Sequence, residues 1–219
     1  MVKFEKILGL IVIVALTLKF FLIPGGGILL TFSLMSLACI FYLFGFAFFN
    51  QIELSRIFQK NSYQGISGLR IWGAIGTGIG LSQICIGILF TLQHWPGANI
   101  TLITGLIVTL IVFVIALIRF FKSKNNYYKF IFKRIVIIGG FGLLLILLPE
   151  LTIVKIQFRN HPNYIKTYEE YLKDPQNDEL QEKLGVEYLK TTMSEEEYEY
   201  YINQGKKGDE DKETNEADR

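Results

Sequence analysis

The chain has 219 residues, 51% of them hydrophobic, and a mean hydropathy of +0.35, a composition too apolar for a wholly soluble fold. Its formal charge of +2 is a sum of opposites: residues 1–149 are apolar with basic connectors, whereas 17 acidic and 10 basic residues follow position 150. No basic domain is left for nucleic acid, and with two histidines (His94, His161) and no CxxC or His/Cys cluster, little remains for a metal site; no cofactor is expected.

Five apolar runs occupy residues 7–23, 28–49, 71–92, 100–118 and 135–149. A helix of roughly 17–25 apolar residues crosses the hydrocarbon layer, where its backbone amides are satisfied within the helix. The expected fold is therefore all-α: a polytopic membrane helix bundle of two repeated transmembrane hairpins plus a fifth span, with a small helical C-terminal tail. The divisions are a first hairpin (1–49), a cytoplasmic connector (50–70), a second hairpin (71–118), a basic cytoplasmic connector (119–134), a fifth span (135–154), a helical soluble tail (155–204) and a disordered C-terminus (205–219).

The first run follows Lys3 and Lys6 but ends in Ile23-Pro24-Gly25-Gly26-Gly27 with no A-x-A-like site, so it reads as a retained span rather than a cleaved leader. Near its end stands Lys19, either an interfacial anchor that snorkels outward or a residue with a buried partner or a functional role. Cys39 in the second run and Cys85 in the third read as small lipid-buried hydrophobes.

The third run is rich in small residues. Gly76 and Gly80 make a GxxxG pair, and Gly73, Gly80 and Gly87 recur every seven residues. Small residues let helix backbones approach closely, so this run is expected at the centre of the bundle or against a second copy of the chain in a homo-oligomer. It closes on Gln93-His94-Trp95-Pro96-Gly97. Trp95 suits the headgroup level. If the hairpins pack side by side, Lys19, Gln93 and His94 share one polar layer. A 72-residue shift lays Pro24-Gly25 on Pro96-Gly97, Ile28 on Ile100, Leu30 on Leu102, Leu34 on Leu106 and Phe41 on Phe113, the basis for reading a parallel repeat with two interfacial turns.

The connector 119–134 carries Arg119, Lys122, Lys124, Lys129, Lys133 and Arg134 without an acid, interleaved with Phe and Tyr. It reads as a lipid-facing surface for anionic headgroups, and equally as an orientation signal. The connectors at 24–27 and 93–99 have no charged residue. Basic loops stay cytoplasmic, which places the N-terminus in the cytoplasm and, after five spans, the tail in the periplasm; if the final run, interrupted by Pro149 and Glu150 and followed by Lys155 and Arg159, does not cross, the tail is cytoplasmic.

In the tail, Tyr164, Ile165, Tyr168, Tyr171 and Leu172 mark one helix face, and Asp174-Pro175 breaks it. Leu180, Leu184, Tyr188 and Leu189 mark a second helix. Ser194 and Glu197 form a capping box that opens a third, carrying Tyr198, Tyr201 and Ile202. Three short helices rich in tyrosine read as a contact surface for a protein partner. No nucleophile–base pair, phosphate loop or metal spacing points to an enzyme.

The segments Leu18-Lys19-Phe20 and Phe90-Thr91-Leu92-Gln93-His94-Trp95-Pro96-Gly97 resemble the N-terminal membrane hairpin of the gliding-motility GldL family. In that family a Phe-Lys-x-x-His-aromatic stretch ends the first span and a Gly/Pro turn follows. The resemblance covers roughly 16–49 and 88–118. Lys19 matches the family's lysine, but Leu22 stands where its histidine would be; His94 matches the histidine, but Thr91 replaces the lysine. The family's motor subunits carry a glutamate in the second span, where Ile40–Phe41 and Val112–Phe113 are apolar here. The resemblance implies a duplicated, non-motor relative in a bacterial inner membrane; the absence of acids within the runs, the glycine-rich third run and the tyrosine-rich tail read as a scaffold or assembly subunit. The alternative is a small transporter or channel built on Lys19 and His94.

Overall fold

Helices in the computed structural model, which describes residues 1–194 and 196–202, begin and end at the glycines, prolines and charges of the sequence. The described chain divides into two compact units, Met1–Pro149 and Glu150–Arg219.

The first unit holds α1 (Val2–Phe20), α2 (Gly26–Phe49), α3 (Gly68–Gln93), α4 (Ala98–Ser123) and α5 (Asn126–Leu147). Residues between α2 and α3 form two single turns, Leu54–Arg56 and Lys60–Tyr63. They fold back on the end of α2 through a cluster of Ala47, Ile52 and Ile57. Helix α5 contains one wide π turn, Ile135–Gly139. After it, Gly142 faces Ile84 and Leu102, where an added Cβ would sit 2.9 Å and 3.1 Å from their side-chain carbons.

Among the described residues four helices, α2 to α5, are long and apolar enough to cross a membrane. Helix α1 differs because Lys3, Glu5, Lys6 and Lys19 fall within its 19 residues. Its uncharged stretch, 7–18, spans only about 18 Å at 1.5 Å per residue. The fourth crossing helix starts earlier than the apolar run suggested. Of the basic connector 119–134, only Lys124 and Asn125 lie outside a helix, because Asn125 caps α5 by accepting from the backbone N–H of Tyr127. The helix then stops at Leu147, where Leu148 turns extended ahead of Pro149, and a separate helix begins at Glu150.

Helix α3 is the centre. It packs on α2 and α4, while α1 lies on α2 and α5 on α3 and α4. In its most apolar stretch 61% of residues are buried, against 22–33% in the other three crossing helices. Glycines allow this. A Cβ on Gly87 would lie 2.7 Å from Leu102 Cα, and one on Gly76 3.1 Å from Val112 Cγ2. Gly80 abuts Thr109 on α4, Gly73 faces the Tyr127 hydroxyl, and on the opposite side Gly78 meets Gly45 and the Phe41 carbonyl of α2. Close backbone approach of this kind gains dispersion contact where lipid offers no hydrophobic drive. On α4 an apolar stripe points outward: Ile100, Ile103, Ile107, Leu110, Ile111, Val114 and Ile118 are all exposed, while Leu102, Gly105, Thr109 and Ala116 are buried. An exposed apolar surface on this scale needs lipid as its solvent.

The second unit comprises α6 (Glu150–Gln157), α7 (Pro162–Tyr171), α8 (Asp178–Thr192) and a helical segment at 196–202. Pro162 sits at the start of α7, where its missing N–H costs nothing, and Asn177 caps α8. Val154, Tyr164 and Tyr168 form its core with Leu151, Phe158, Ile165 and Leu184. The Ser194–Glu197 capping box forms as expected, with Ser194 N–H donating to Glu197 Oε2 at 2.9 Å and Glu197 N–H to Ser194 Oγ at 3.3 Å. These bonds hold the Glu197 carboxyl below its usual range. The stretch 205–219, expected to be disordered, lies outside the described residues.

Candidate functional site

The turns that join α1 to α2 and α3 to α4 adopt the same backbone path 72 residues apart. Leu22 (φ 57°) and His94 (φ 54°) both enter the left-handed region, as do Gly25 (φ 88°) and Gly97 (φ 80°). Ile23 N–H donates to Leu18 O and Trp95 N–H to Phe90 O, each at 2.9 Å. Leu22 N–H donates to Lys19 O and His94 N–H to Thr91 O, at 3.1 Å and 3.4 Å. These are paired Schellman closures, which satisfy the last carbonyls of α1 and α3. A left-handed leucine or histidine costs about 1 kcal/mol, and the closure of the helix end offsets it. Glycine meets the same demand without that cost at 25 and 97, and Pro24 and Pro96 precede those glycines, where the chain leaves the helix.

Between these turns the structure joins Lys19 to Gln93. Lys19 Nζ donates to Gln93 Oε1 at 2.7 Å. The amide nitrogen of Gln93 donates to Gly27 O at 2.9 Å and Thr31 Oγ1 at 2.8 Å, and Thr31 Oγ1 donates to Gly27 O at 2.9 Å. One amide thus ties α1, α2 and α3 together. An amide suits the place because it accepts from the cation and donates to α2 at once, which a carboxylate cannot. His94, expected in the same layer, is the left-handed closing residue of α3, and Trp95 stacks edge-on against Phe90 with ring centroids 5.4 Å apart.

The opposite end of the bundle holds a second polar link. Arg134 Nη2 lies 2.6 Å from Glu5 Oε2, with side chains only 9% and 12% exposed. Arg134 Nη1 also donates to Phe130 O at 3.0 Å, and the guanidinium lies 3.6 Å from the centroid of the Phe130 ring. Arg134 therefore departs from the lipid-facing role expected for it. Its position on α5 turns it inward, where Glu5 and the Phe48 and Phe130 rings receive it. The other members, Arg119, Lys122, Lys124, Lys129 and Lys133, are exposed. Beside them Arg70 stacks on Tyr127 at 4.3 Å, and the Tyr127 hydroxyl donates to Arg70 O at 2.9 Å.

Sequence reasoning missed Glu5, Gly27, Thr31 and Arg70 as partners. Glu5 carried a signal, since it is an acid among the lysines of a basic segment. Thr31 carried none, because a threonine in an apolar helix ordinarily bonds its own preceding turn. Among the described residues no group of three or more His, Cys, Asp or Glu side chains is placed to hold a metal ion.

Residues 76–131 match the family model of the GldL N-terminal domain. The matched segment, about a quarter of the chain, takes in most of α3, the turn with Gln93 and His94, all of α4 and the start of α5. Lys19 and the first hairpin lie outside it. Comparison with curated proteins gave no match, and neither did comparison with solved structures.

Proposed function

We propose, taking as premise that this is a multi-pass membrane protein that is GldL-like over residues 76–131, that it serves as a non-enzymatic scaffold or assembly subunit of a bacterial inner-membrane complex. The observation that carries this reading is the Lys19–Gln93 link. Lys19 is the one charged residue within the five apolar runs, and its partner is a neutral amide that is itself bonded to α2. A proton or cation path through lipid ordinarily uses an intramembrane carboxylate, and none stands between positions 7 and 149 outside the connectors. The link behaves as a clamp between hairpins.

In this reading α1 is a fifth span, short in apolar length, whose Lys19 is accommodated by Gln93 rather than by water. The matched backbone of the two turns supports descent of both hairpins from one duplicated unit. Lys3, Lys6, Arg56, Lys60, Arg70 and the basic residues 119–134 all belong to the end marked by the Glu5–Arg134 pair. That end is cytoplasmic and the tail periplasmic. The tail presents Tyr201 and Leu172, both exposed, to a protein partner.

A photo-crosslinking residue in place of Tyr201, in the full chain in its native membrane, is expected to trap one discrete partner band. No band, together with pH-dependent proton flux in liposomes that His94→Ala abolishes, overturns the scaffold reading in favour of a transporter. Labelling of introduced cysteines from each side, in a background lacking Cys39 and Cys85, tests the topology; a tail residue modified only from the cytoplasm refutes five crossings.

A further inference from the structure

An open groove of about 200 Å³ lies between the first turns of α3, the last turns of α4 and the start of α5. Its walls carry two guanidiniums, Arg70 and Arg119, beside the Tyr128 ring, and an apolar limb that includes Trp72, Val112 and Ile115. No carboxylate lines it. Among the described residues neither arginine has a carboxylate partner, while the two acids of the first unit are taken by other cations, Glu5 by Arg134 and Glu53 by Arg56. Arg70 Nε is buried without a hydrogen-bond partner. The Arg70 guanidinium lies over the Tyr127 ring, 4.3 Å from its centroid.

Cationic head and apolar limb occur in a fixed order. Arg70 is in the first turn of α3 and Arg119 in the last turns of α4, at the charged end of the bundle. Val112 and Ile115 lie up to two helical turns deeper along α4, toward the lipid-exposed stripe of that helix, and Ile115 and Trp72 are 52% and 72% exposed. A soluble anion would leave that limb uncovered, and an apolar molecule would leave both guanidiniums unpaired. An amphiphile with an anionic head satisfies both.

We propose that the groove binds one acidic phospholipid, with its phosphate against Arg70 and Arg119 and an acyl chain along Trp72, Val112 and Ile115. This goes beyond the general attraction of a basic connector to a membrane, because it assigns the site to two residues on different helices, one of them outside that connector. A lipid held there bridges α3 and α4 at the end where the hairpin has no turn to join them.

The test uses the full chain purified in mild detergent, with bound lipid counted by native mass spectrometry after titration with phosphatidylglycerol or phosphatidylcholine. One phosphatidylglycerol per chain is expected to persist at concentrations where phosphatidylcholine is lost. Arg119→Gln is expected to weaken it about fivefold, and Arg70→Gln with Arg119→Gln about 25-fold, at the usual increment per cation. Lys122→Gln, a cation of the same connector outside the groove, should change it less than about twofold. Arg119→Gln alone carries the test if loss of Arg70 disturbs Tyr127, with helical content by circular dichroism as the check on folding. Equal retention of both lipids, or equal losses from Arg119→Gln and Lys122→Gln, overturns the proposal. So does displacement of the bound lipid by millimolar inorganic phosphate, which would make the site one for a free anion.

Discussion

Helices α4 and α7 turn opposite kinds of residue outward. Helix α4 buries Gly105, Thr109 and Ala116 and exposes Ile107, Leu110 and Ile111; α7 buries Tyr164, Thr167 and Tyr168 and exposes Lys166. The same contrast runs through the two units that contain them. In the first, large aliphatic groups also cover the outside, over an interior that sets close-packed glycines and a few polar groups among buried Phe41, Phe48, Leu81 and Ile84. In the second, aromatic rings fill the interior, with Phe158 and Tyr164 centroids 4.4 Å apart, and ionic contacts such as Lys183–Glu170 lie on the surface. Water rewards burial of apolar area, so a water-facing unit hides its largest apolar side chains. Lipid offers no such gain, so helices embedded in it associate through close fit and interior hydrogen bonds. The sidedness of the residues reports the solvent of each unit.

That contrast can be broken at its interior first. In the bundle, Glu5→Ala leaves Arg134 buried with rings and one carbonyl, and is expected to cost about 4 kcal/mol, read from unfolding of the full chain in mixed micelles. A loss below about 1 kcal/mol would show the pair to be solvated. Next, an acid on the outward face separates the solvents directly. Ile107→Asp is expected to cost about 3 kcal/mol in a bilayer, whereas Lys166→Asp in the tail should stay within about 0.5 kcal/mol; equal effects in a reconstitution assay would refute the assignment of lipid to α4.

Gln93→Leu strips Lys19 of its acceptor and should cost about 2 kcal/mol, with Lys19→Met restoring part of the loss in the double variant. Additive losses would mean that the two side chains do not cooperate. The smallest effect belongs to the tail and is confined to alkaline pH. Burial, then the neighbouring Tyr188 and Glu150, push the Tyr164 hydroxyl up to about 12, and burial with the hydrogen bond to Glu150 raises Tyr168 as well. Each proton is held more tightly in the folded than in the unfolded tail. Their contribution is therefore complete below about pH 10, where an unfolded tyrosine ionises, and is lost as pH rises toward 12. Near-UV circular dichroism should show the tyrosine signal collapsing over that window, and Tyr164→Phe should flatten the transition; an unchanged profile would mean that this hydroxyl is not buried.

Periodicity and length alone disclosed the helical class, the crossing character of α2 to α5, the glycine packing of α3, both Pro-Gly turns and the capping box at Ser194, because each is local: a run, a spacing or a four-residue pattern carries it. The helical nature of 119–134 was hidden, since charge marks a connector only when propensity is ignored, and Asn125 is a cap that composition does not reveal. Polar pairing was hidden more deeply. Lys19 and Gln93 are 74 residues apart and Glu5 and Arg134 are 129 apart, so neither pair has any local signature. Only the packing of α1 on α2, α2 on α3 and α5 across them decides which donor meets which acceptor, because a hydrogen bond is a condition on position in space and a chain of amino acids states only position in order.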